Sequence, residues 1–564
     1  MEKIQKDIID IYSQAMKLDL YEENFSIKNK INRKFELILG PTNSGKTYKA
    51  IEKLKKSESG LYLAPLRLLA LEIYQKLNNE GIPCNLLTGE ESIFYPDAKF
   101  TSSTIEMCNF QDFFETVIID EVQLINDSSR GYAWTNAILG VLGKNIICLG
   151  TSEIKPSLEK IISECKNSVL ENIEIKKRLN EISITRNSNI EKGDAIITFS
   201  RKNVLYLAEV YRNKGFSTSV IYGALSPEVR KKQIEKFVLG YTDIIISTDA
   251  IGLGVNLPIK KIIFSDLFKF DGKESRILTS YEVKQISGRA GRYSLQENGK
   301  VTLSNNIANS ENYEYLEKSL NSNKDFDKTI YIGPNFKYIE KLSFITKKNN
   351  IYDLISIFSK LDTKKQNWKI TDLSDSLKIA KIIEDKQPDL KIEDKYTMCF
   401  SPLNDDITIE KFAYIIKNKE SININDYINA FEFFKDTLED TEKKVSLISN
   451  WAWFNKKYPL YFIINDEGKF NNFKLKTNEE LDKKLTFKAK HNILLKKVRK
   501  NKSLKNDKDF FKNAIKIDVS IIKEAGFEIL NDKEIMSYVI KKNPDYKYLL
   551  NKEMLSFLEE SIKC

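Results

Sequence analysis

Eight residues, Gly40-Pro41-Thr42-Asn43-Ser44-Gly45-Lys46-Thr47, fit the pattern G-x-x-x-x-G-K-[ST] and stand between an apolar run, residues 35–39, and a lysine-rich helical pattern. Gly40 and Gly45 let the backbone turn so that its N–H groups point inward, and the helix start behind them adds partial positive charge. A loop of that kind cradles phosphate. Lys46 then reaches the β- and γ-phosphates of a nucleotide, and Thr47 ligates magnesium. A chance Gly/Ser turn capping a helix has a similar composition, but the strand before and the helix after supply the context a phosphate loop requires.

Two further stretches carry charge suited to the same chemistry. Asp120-Glu121-Val122-Gln123 follows the apolar run TVIID, which places both carboxylates at the C-terminal end of a strand, where wound sheets bind ligands. Asp120 can hold magnesium through its water shell, and Glu121 can orient or deprotonate an attacking water. In QISGRAGRYS, residues 285–294, Gln285, Arg289 and Arg292 stand in a helix-forming context. Arginines three apart share a helical face, so both can reach a cleft as fingers that stabilise transition-state charge. A solvated basic helix would look alike in isolation.

These residues need a scaffold, and the chain supplies the pattern of one. Between residues 33 and about 305, short β-branched runs alternate with helix-period segments, as in wound α/β units with parallel sheets. FELIL, LYLA, TVIID and NIICL form one set; AIITF, SVIY, DIIIS and KIIF form another. Two sheets joined near residues 165–190 follow from this. Beyond about residue 330 helical periods dominate, and residues 438–462 put Leu438, Val445, Ile448 and Trp451 on one face. The expected divisions are a helical segment 1–32, sheet domains 33–170 and 171–325, a helical domain 326–465 and a basic region 466–564. Ile4, Ile8, Tyr12 and Met16 recur every four residues, an amphipathic helix packed on the protein.

Composition narrows the chemistry. With a single histidine, His491, and six cysteines in no C-x-x-C pair, zinc sites and Ser-His-Asp triads lack raw material. Carboxylates, lysine, arginine and bound ions must do the work. No apolar run approaches the ~18 residues that span a bilayer, so no membrane partner is expected. The start of the chain is rich in acidic residues and free of arginine, and a cytoplasmic location is expected from it. The net charge of +10 fits a polyanionic partner or a lysine-decorated surface. Residues 483–505 hold ten basic and no acidic side chains, either a guide for a nucleic-acid strand or one solvated amphipathic helix.

With these three motifs the chain resembles a superfamily 2 helicase, built from two tandem RecA-like parallel-sheet domains, here followed by a mostly α-helical C-terminal region. APLRLLALE (64–72) resembles motif Ia, TGEE (88–91) and TSSTIEM (101–107) the next strand-contacting motifs, and LGTSEI (149–154) motif III. TFSRK (198–202) looks like motif IV and STDAIGLGVNLP (247–258) like motif V. DEVQ, the RGYAWTNAILG that follows at 130–140, and Ile286 where DEAD-box proteins have arginine resemble the RNA helicase of the mitochondrial degradosome and its bacterial relatives. KYTMCFSPLN (395–404) and SNWAWFNKKYP (449–459) resemble that family's C-terminal helical region. Thr151 and Ser152 depart from the small-residue version of motif III, and the acidic start suggests a bacterial-type member.

The resemblance implies ATP and Mg2+ as cofactors, with Gly40 to Thr47, Asp120, Glu121, Gln285, Arg289 and Arg292 handling ATP and Gly252 and Asn256 lining the same cleft. It implies that Arg67, Thr88, Thr104 and Thr248 contact the phosphate backbone of one strand, a sequence-independent feature a translocating motor can grip. RNA is the expected partner, with 3′-to-5′ movement and an exoribonuclease beside it. Two other readings stay open: a DNA helicase or translocase with the same engine, and a nucleotide-gated RNA clamp.

Overall fold

Four of the apolar runs, at 35–39, 61–64, 116–120 and 145–149, form neighbouring parallel strands in the computed structural model, which describes residues 2–555 apart from 43, 176–180, 253–256, 271–273, 292–297, 323–326, 425, 427–436, 518, 543 and 552–554. The first sheet takes β1 (Arg33–Leu39), β2 (Gly60–Ala64), β3 (Cys84–Leu87), β4 (Ser92–Ile93), β5 (Phe100–Thr104), β6 (Phe113–Ile119), β7 (Leu142–Gly150) and β8 (Ser168–Glu174). Their order is β4-β3-β5-β2-β6-β7-β1-β8, and only β4 runs antiparallel to its neighbour. Helices α1 (Glu2–Met16), α2 (Lys46–Leu54), α3 (Arg67–Asn79), α4 (Gly131–Gly140) and α5 (Lys155–Ser163) accompany it.

Successive side chains of a strand face opposite sides, and both sides of this sheet are covered, which is why its strands read as unbroken apolar runs. Ile38, Ile118 and Ile147 pack with Ile51, Leu54 and Ile73 of α2 and α3 on one side. Leu37, Val117, Ile119 and Cys148 face the other, beneath α4. The expected end of this domain at residue 170 falls inside β8, whose register with β1 runs from Arg33↔Ser168 to Leu39↔Glu174; the first sheet therefore reaches Glu174.

The second sheet is built from β9 (Ile182–Ile184), β10 (Ala195–Ile197), β11 (Thr218–Ile221), β12 (Ile244–Ser247) and β13 (Lys261–Phe264), then, after a hairpin of β14 (Phe268–Phe270) and β15 (Ser275–Ile277), β16 (Gly299–Leu303). The order is β11-β12-β10-β13-β16-β9, all parallel. Helices α6 (Arg201–Asn213), α7 (Pro227–Val238), α8 (Ser280–Ser287) and α9 (Ser310–Asn321) belong to it.

The helical region is no separate body. α10 (Phe336–Thr346), α11 (Ile351–Phe358), α12 (Ser374–Lys386), α13 (Ile392–Cys399) and α14 (Asp406–Asn418) share one apolar core with a face of the first sheet. The reason is α4, whose sequence GYAWTNAILG is apolar nearly all round and so must be covered on every side. Trp134 is fully buried there, Thr135 Oγ1 donates to the Tyr331 carbonyl at 2.6 Å, and Tyr21 of the N-terminal segment donates to the Gly333 carbonyl at 3.0 Å.

Two long helices then cross from one sheet domain to the other. α15 (Leu438–Lys457) gives Ile448, Trp451 and Phe454 to the first core and Val445 to the second domain's core. α16 (Glu467–Lys500) lays Leu481 and Leu485 on the second domain. Gln233 and Lys236 of α7 reach Asp482 at 2.9 and 2.7 Å, and Arg212 of α6 donates to the Leu485 carbonyl at 2.6 Å. The lysine-rich stretch, either a strand guide or a solvated helix by sequence, falls mostly on the end of α16, where the side chains of 486–497 and 499–500 lie outside the described residues. Farther on, Phe511, Ile521, Met536 and Val539 form a small core of their own. Among the described residues no helix is long and apolar enough to cross a membrane.

Replacing Trp134 by Ala empties the centre of the shared core, and a buried Trp→Ala change costs about 3–5 kcal/mol. The first sheet and the helical region should lose stability together in denaturant unfolding followed by hydrogen exchange; loss confined to one of them would contradict the shared core.

Candidate active site

The phosphate loop runs from the end of β1 into α2. Gly45 at the turn has φ +81°, a left-handed conformation that side chains other than glycine disfavour, and it lets α2 start with its N–H groups aimed back over the loop. Lys46 Nζ donates to the carbonyls of Gly40 and Pro41 at 2.8 and 2.6 Å, and Ser44 Oγ donates to Pro41 at 2.8 Å. The ammonium therefore occupies the hollow of the loop itself. Burial pulls its pKa below the ordinary lysine value, with Glu121 and then Asp120 opposing. Thr47 is half-buried in the first turn of α2, and Asn43 lies outside the described residues.

Asp120 stands just past the end of β6, two strands from the loop, with β7 between them. Tyr62 donates to its Oδ2 at 2.6 Å, the Glu121 N–H to Oδ1 at 2.8 Å, and Trp134 Nε1 to its backbone carbonyl at 2.9 Å. Burial, and then the Glu121 charge, raise the Asp120 carboxyl to about 6. Glu121 adopts φ 50°, a left-handed conformation uncommon for a residue with a side chain and typical of strained functional positions. Its carboxylate accepts from Gln123 Nε2. The sequence signals Asp120 and Glu121 but not their supports, since Tyr62 and Trp134 read as ordinary core aromatics.

The second sheet closes the cleft through the end of α8. Thr279 and Glu282 form a reciprocal cap at its start, which fixes where the helix begins. The helix expected to carry the arginines stops short of Arg289: α8 ends at Ser287 and Arg289 follows in a turn, while Arg292 lies outside the described residues. Arg289 is buried, its Nε donates to the Gly252 carbonyl at 3.1 Å, and among the charges it senses are Glu121 and Asp120. Burial lowers its pKa, and those carboxylates oppose the shift. Gly252 thus positions the arginine, and Asn256 lies outside the described residues. Gly288 abuts the phosphate loop so closely that a Cβ there would lie 1.9 Å from Thr42 Oγ1.

Between the two sheets is a cavity of about 530 Å³ lined by Thr42, Glu121 and Thr151 from the first domain and by Tyr281, Lys284 and Gln285 from the second. That size suits a small-molecule ligand. Thr151 Oγ1 and Gln285 Nε2 are buried with no hydrogen-bond partner among the described residues, and a polar ligand would satisfy them. These orphaned atoms, the loop hollow and the carboxylate pair fit a nucleotide with magnesium, held by Lys46, Thr47 and Asp120. Phe35 is in the core, and Tyr48 is exposed beside Lys76.

The residues expected to grip a strand fall differently. Arg67 begins α3 and pairs with Glu90. Thr88, Thr104 and Thr248 are buried, and two of their hydroxyls cap local turns: Thr88 Oγ1 accepts from the Glu91 N–H at 2.9 Å and Thr248 Oγ1 from the Ala250 N–H at 3.3 Å. Among the described residues no group of three or more His, Cys, Asp or Glu could hold a metal ion.

Comparison with known proteins places this geometry in context. Residues 22–175 match the DEXQ-box helicase domain of Suv3, and residues 174–294 the helicase conserved C-terminal domain. The mitochondrial ATP-dependent RNA helicase SUV3 of Saccharomyces paradoxus is 32% identical over 477 residues, 79% of this chain and 64% of that protein. The mitochondrial DExH-box ATP-dependent RNA helicase DExH16 of Arabidopsis thaliana is 35% identical over 405 residues, 70% of each. The human mitochondrial ATP-dependent RNA helicase SUPV3L1 is 33% identical over 393 residues, 66% of this chain and 49% of that protein. The chain spans less than two thirds of the length of the yeast relative.

Gly288→Ala should leave the far-UV circular dichroism intact and slow nucleotide hydrolysis by roughly tenfold or more, equivalent to about 1.4 kcal/mol of lost transition-state stabilisation. Thr42→Gly in the same chain removes the colliding hydroxyl and should restore part of the rate. Full activity of Gly288→Ala would mean that the loop and α8 need not meet.

Proposed function

The chain belongs to the Suv3 family of ATP-dependent RNA helicases, and on that premise we propose that it is an ATP-driven motor that moves along RNA and separates RNA duplexes. The observation that carries the proposal is the split catalytic centre. Lys46, Asp120 and Glu121 come from the first sheet, Gln285 and Arg289 from the second, and Gly288 rests on the phosphate loop. A kinase or simple GTPase needs one such sheet; a motor needs two that part and meet.

In this mechanism ATP binds in the cleft with its phosphates over the N–H groups of residues 40–47. Lys46 turns its ammonium from the loop carbonyls to the β- and γ-phosphates. Thr47 and Asp120 would hold a magnesium ion, which would supply charge neutralisation at the phosphate oxygens. Glu121 orients the attacking water and takes its proton, while Arg289 balances the charge that spreads over the γ-phosphoryl oxygens. Gln285 steadies the same oxygens through its Nε2, which has no hydrogen-bond partner among the described residues. Loss of the γ-phosphate removes what Arg289 and Gln285 hold, so the cleft reopens and one strand shifts past Arg67 and the turns at Thr88, Thr104 and Thr248. The proposal includes 3′-to-5′ movement and an exoribonuclease that takes the released strand during RNA turnover, both carried by family resemblance alone.

ATP hydrolysis and strand displacement on matched RNA and DNA duplexes with 3′ or 5′ overhangs test this. RNA should stimulate turnover and the 3′-overhang RNA duplex should be unwound, both falling by roughly 100-fold or more in Lys46→Ala, about 3 kcal/mol of transition-state stabilisation. Turnover without displacement would make the protein an RNA clamp. Equal or better displacement of DNA would replace RNA as the substrate.

A further inference from the structure

A second set of charges joins the two sheet domains through residues that the nucleotide site does not use. Arg67 of α3 pairs with Glu90 in the turn between β3 and β4. Lys474 of α16 lies 3.0 Å from Glu91 and 3.7 Å from Glu90 of the first domain and 2.8 Å from Glu228, on α7 of the second. Lys456 of α15 donates to the Thr88 carbonyl at 2.7 Å, and Trp453 of the same helix packs on Gly89. The turn 88–91, which sequence alone marks as strand-contacting, is thus covered by the C-terminal helices.

The set is balanced: Arg67, Lys456 and Lys474 against Glu90, Glu91 and Glu228. It is also incompletely satisfied. Arg67 Nε, Glu90 Oε2 and Glu228 Oε2 are buried without a hydrogen-bond partner among the described residues. Burial pushes Lys456 down to about 8, Glu91 opposing and Arg67 adding to the shift. For Lys474 burial is the largest influence, yet Glu228, Glu91 and Glu90 together outweigh it and hold its pKa above the ordinary lysine value.

We propose that this set is an electrostatic gate on a strand path: Glu90, Glu91 and Glu228 occupy the cations Arg67 and Lys474, and the Thr88 carbonyl holds Lys456, until a phosphodiester backbone takes these cations over. The gate rests on the RNA-binding reading above and adds its regulation. A guanidinium or ammonium receives carboxylate and phosphate oxygens with the same geometry, so exchange needs no new site. Lys474 alone in the set touches carboxylates of both sheet domains, so its transfer to phosphate also releases a tie between them. Strand arrival is thereby coupled to domain motion.

The exchange leaves a signature in salt dependence. Each phosphate that a protein cation neutralises sheds the counterion condensed on it, whereas a cation still balanced by an internal carboxylate neutralises a phosphate only in part and sheds less. Binding of a labelled oligouridylate to the full chain, titrated at several salt concentrations, reads this directly. Glu228→Gln should tighten binding at low salt by about 2- to 5-fold. It should also steepen the slope of log K against log salt by about 0.7, the single-strand value for one released ion. Lys474→Gln should weaken binding without steepening the slope, and the double variant should lose the gain of Glu228→Gln. Glu91→Gln, at a more open position, should repeat the Glu228→Gln result should that variant fail to fold. Affinity and slope equal to wild type in both glutamine variants would overturn the gate alone. A wild-type chain that binds no oligouridylate would overturn the RNA-binding reading and the gate with it.

Discussion

Two cations and two carboxylates, Lys46 and Arg289 with Asp120 and Glu121, meet in one cleft between two sheets, Arg289 and Asp120 buried and Lys46 and Glu121 half-buried, and none of them could be withdrawn from water there alone. An isolated buried charge costs several kcal/mol, so each depends on the others being in place. The shifts follow from that dependence: burial pulls Lys46 and Arg289 down and pushes Asp120 up, and the opposite charges limit the lysine and arginine shifts. Everything that holds the sheets at this separation therefore bears on the chemistry. Trp134 locks the Asp120 backbone from below, and the Gly252 carbonyl aims Arg289 from the other side.

The helices after the second sheet extend the same logic. α15 and α16 are anchored on the second domain by Glu442 against Arg201 and by Asp482 against Lys236, and they reach the first domain through Lys456 and Lys474. The sheet domains are consequently joined twice, once through the cleft between the sheets and once through the charges around Lys474. A ligand at either place changes the charge balance that holds both. In the proposed motor, that arrangement links hydrolysis to strand movement without a separate relay.

Much of this was legible in the sequence because it is local. The phosphate loop, the DEVQ stretch and the parallel strands depend on residues close in the chain, with glycines and apolar runs marking them. Arg289 was legible as a residue but not as a position: the helix context suggested a shared face with Arg292, whereas α8 ends at Ser287 and a turn carries the arginine. Thr88 and Thr248 were recognised by motif, yet their hydroxyls are spent on turns. Lys474 had no signal at all. It is one lysine among many, and its meaning comes only from Glu90, Glu91 and Glu228, which lie hundreds of residues away. The shared core of the first sheet and the helical region was hidden for the same reason, although the apolar composition of α4 was a clue that something must cover both its sides.

The most direct measurement is single-turnover ATP hydrolysis by Arg289→Ala alongside its equilibrium affinity for ATP. A catalytic centre completed by the second sheet predicts hydrolysis slowed by about 10³-fold or more with affinity changed only a few-fold, because the arginine acts on charge that develops in the transition state. Hydrolysis near the wild-type rate would contradict the account, since the first sheet would then be catalytically complete by itself.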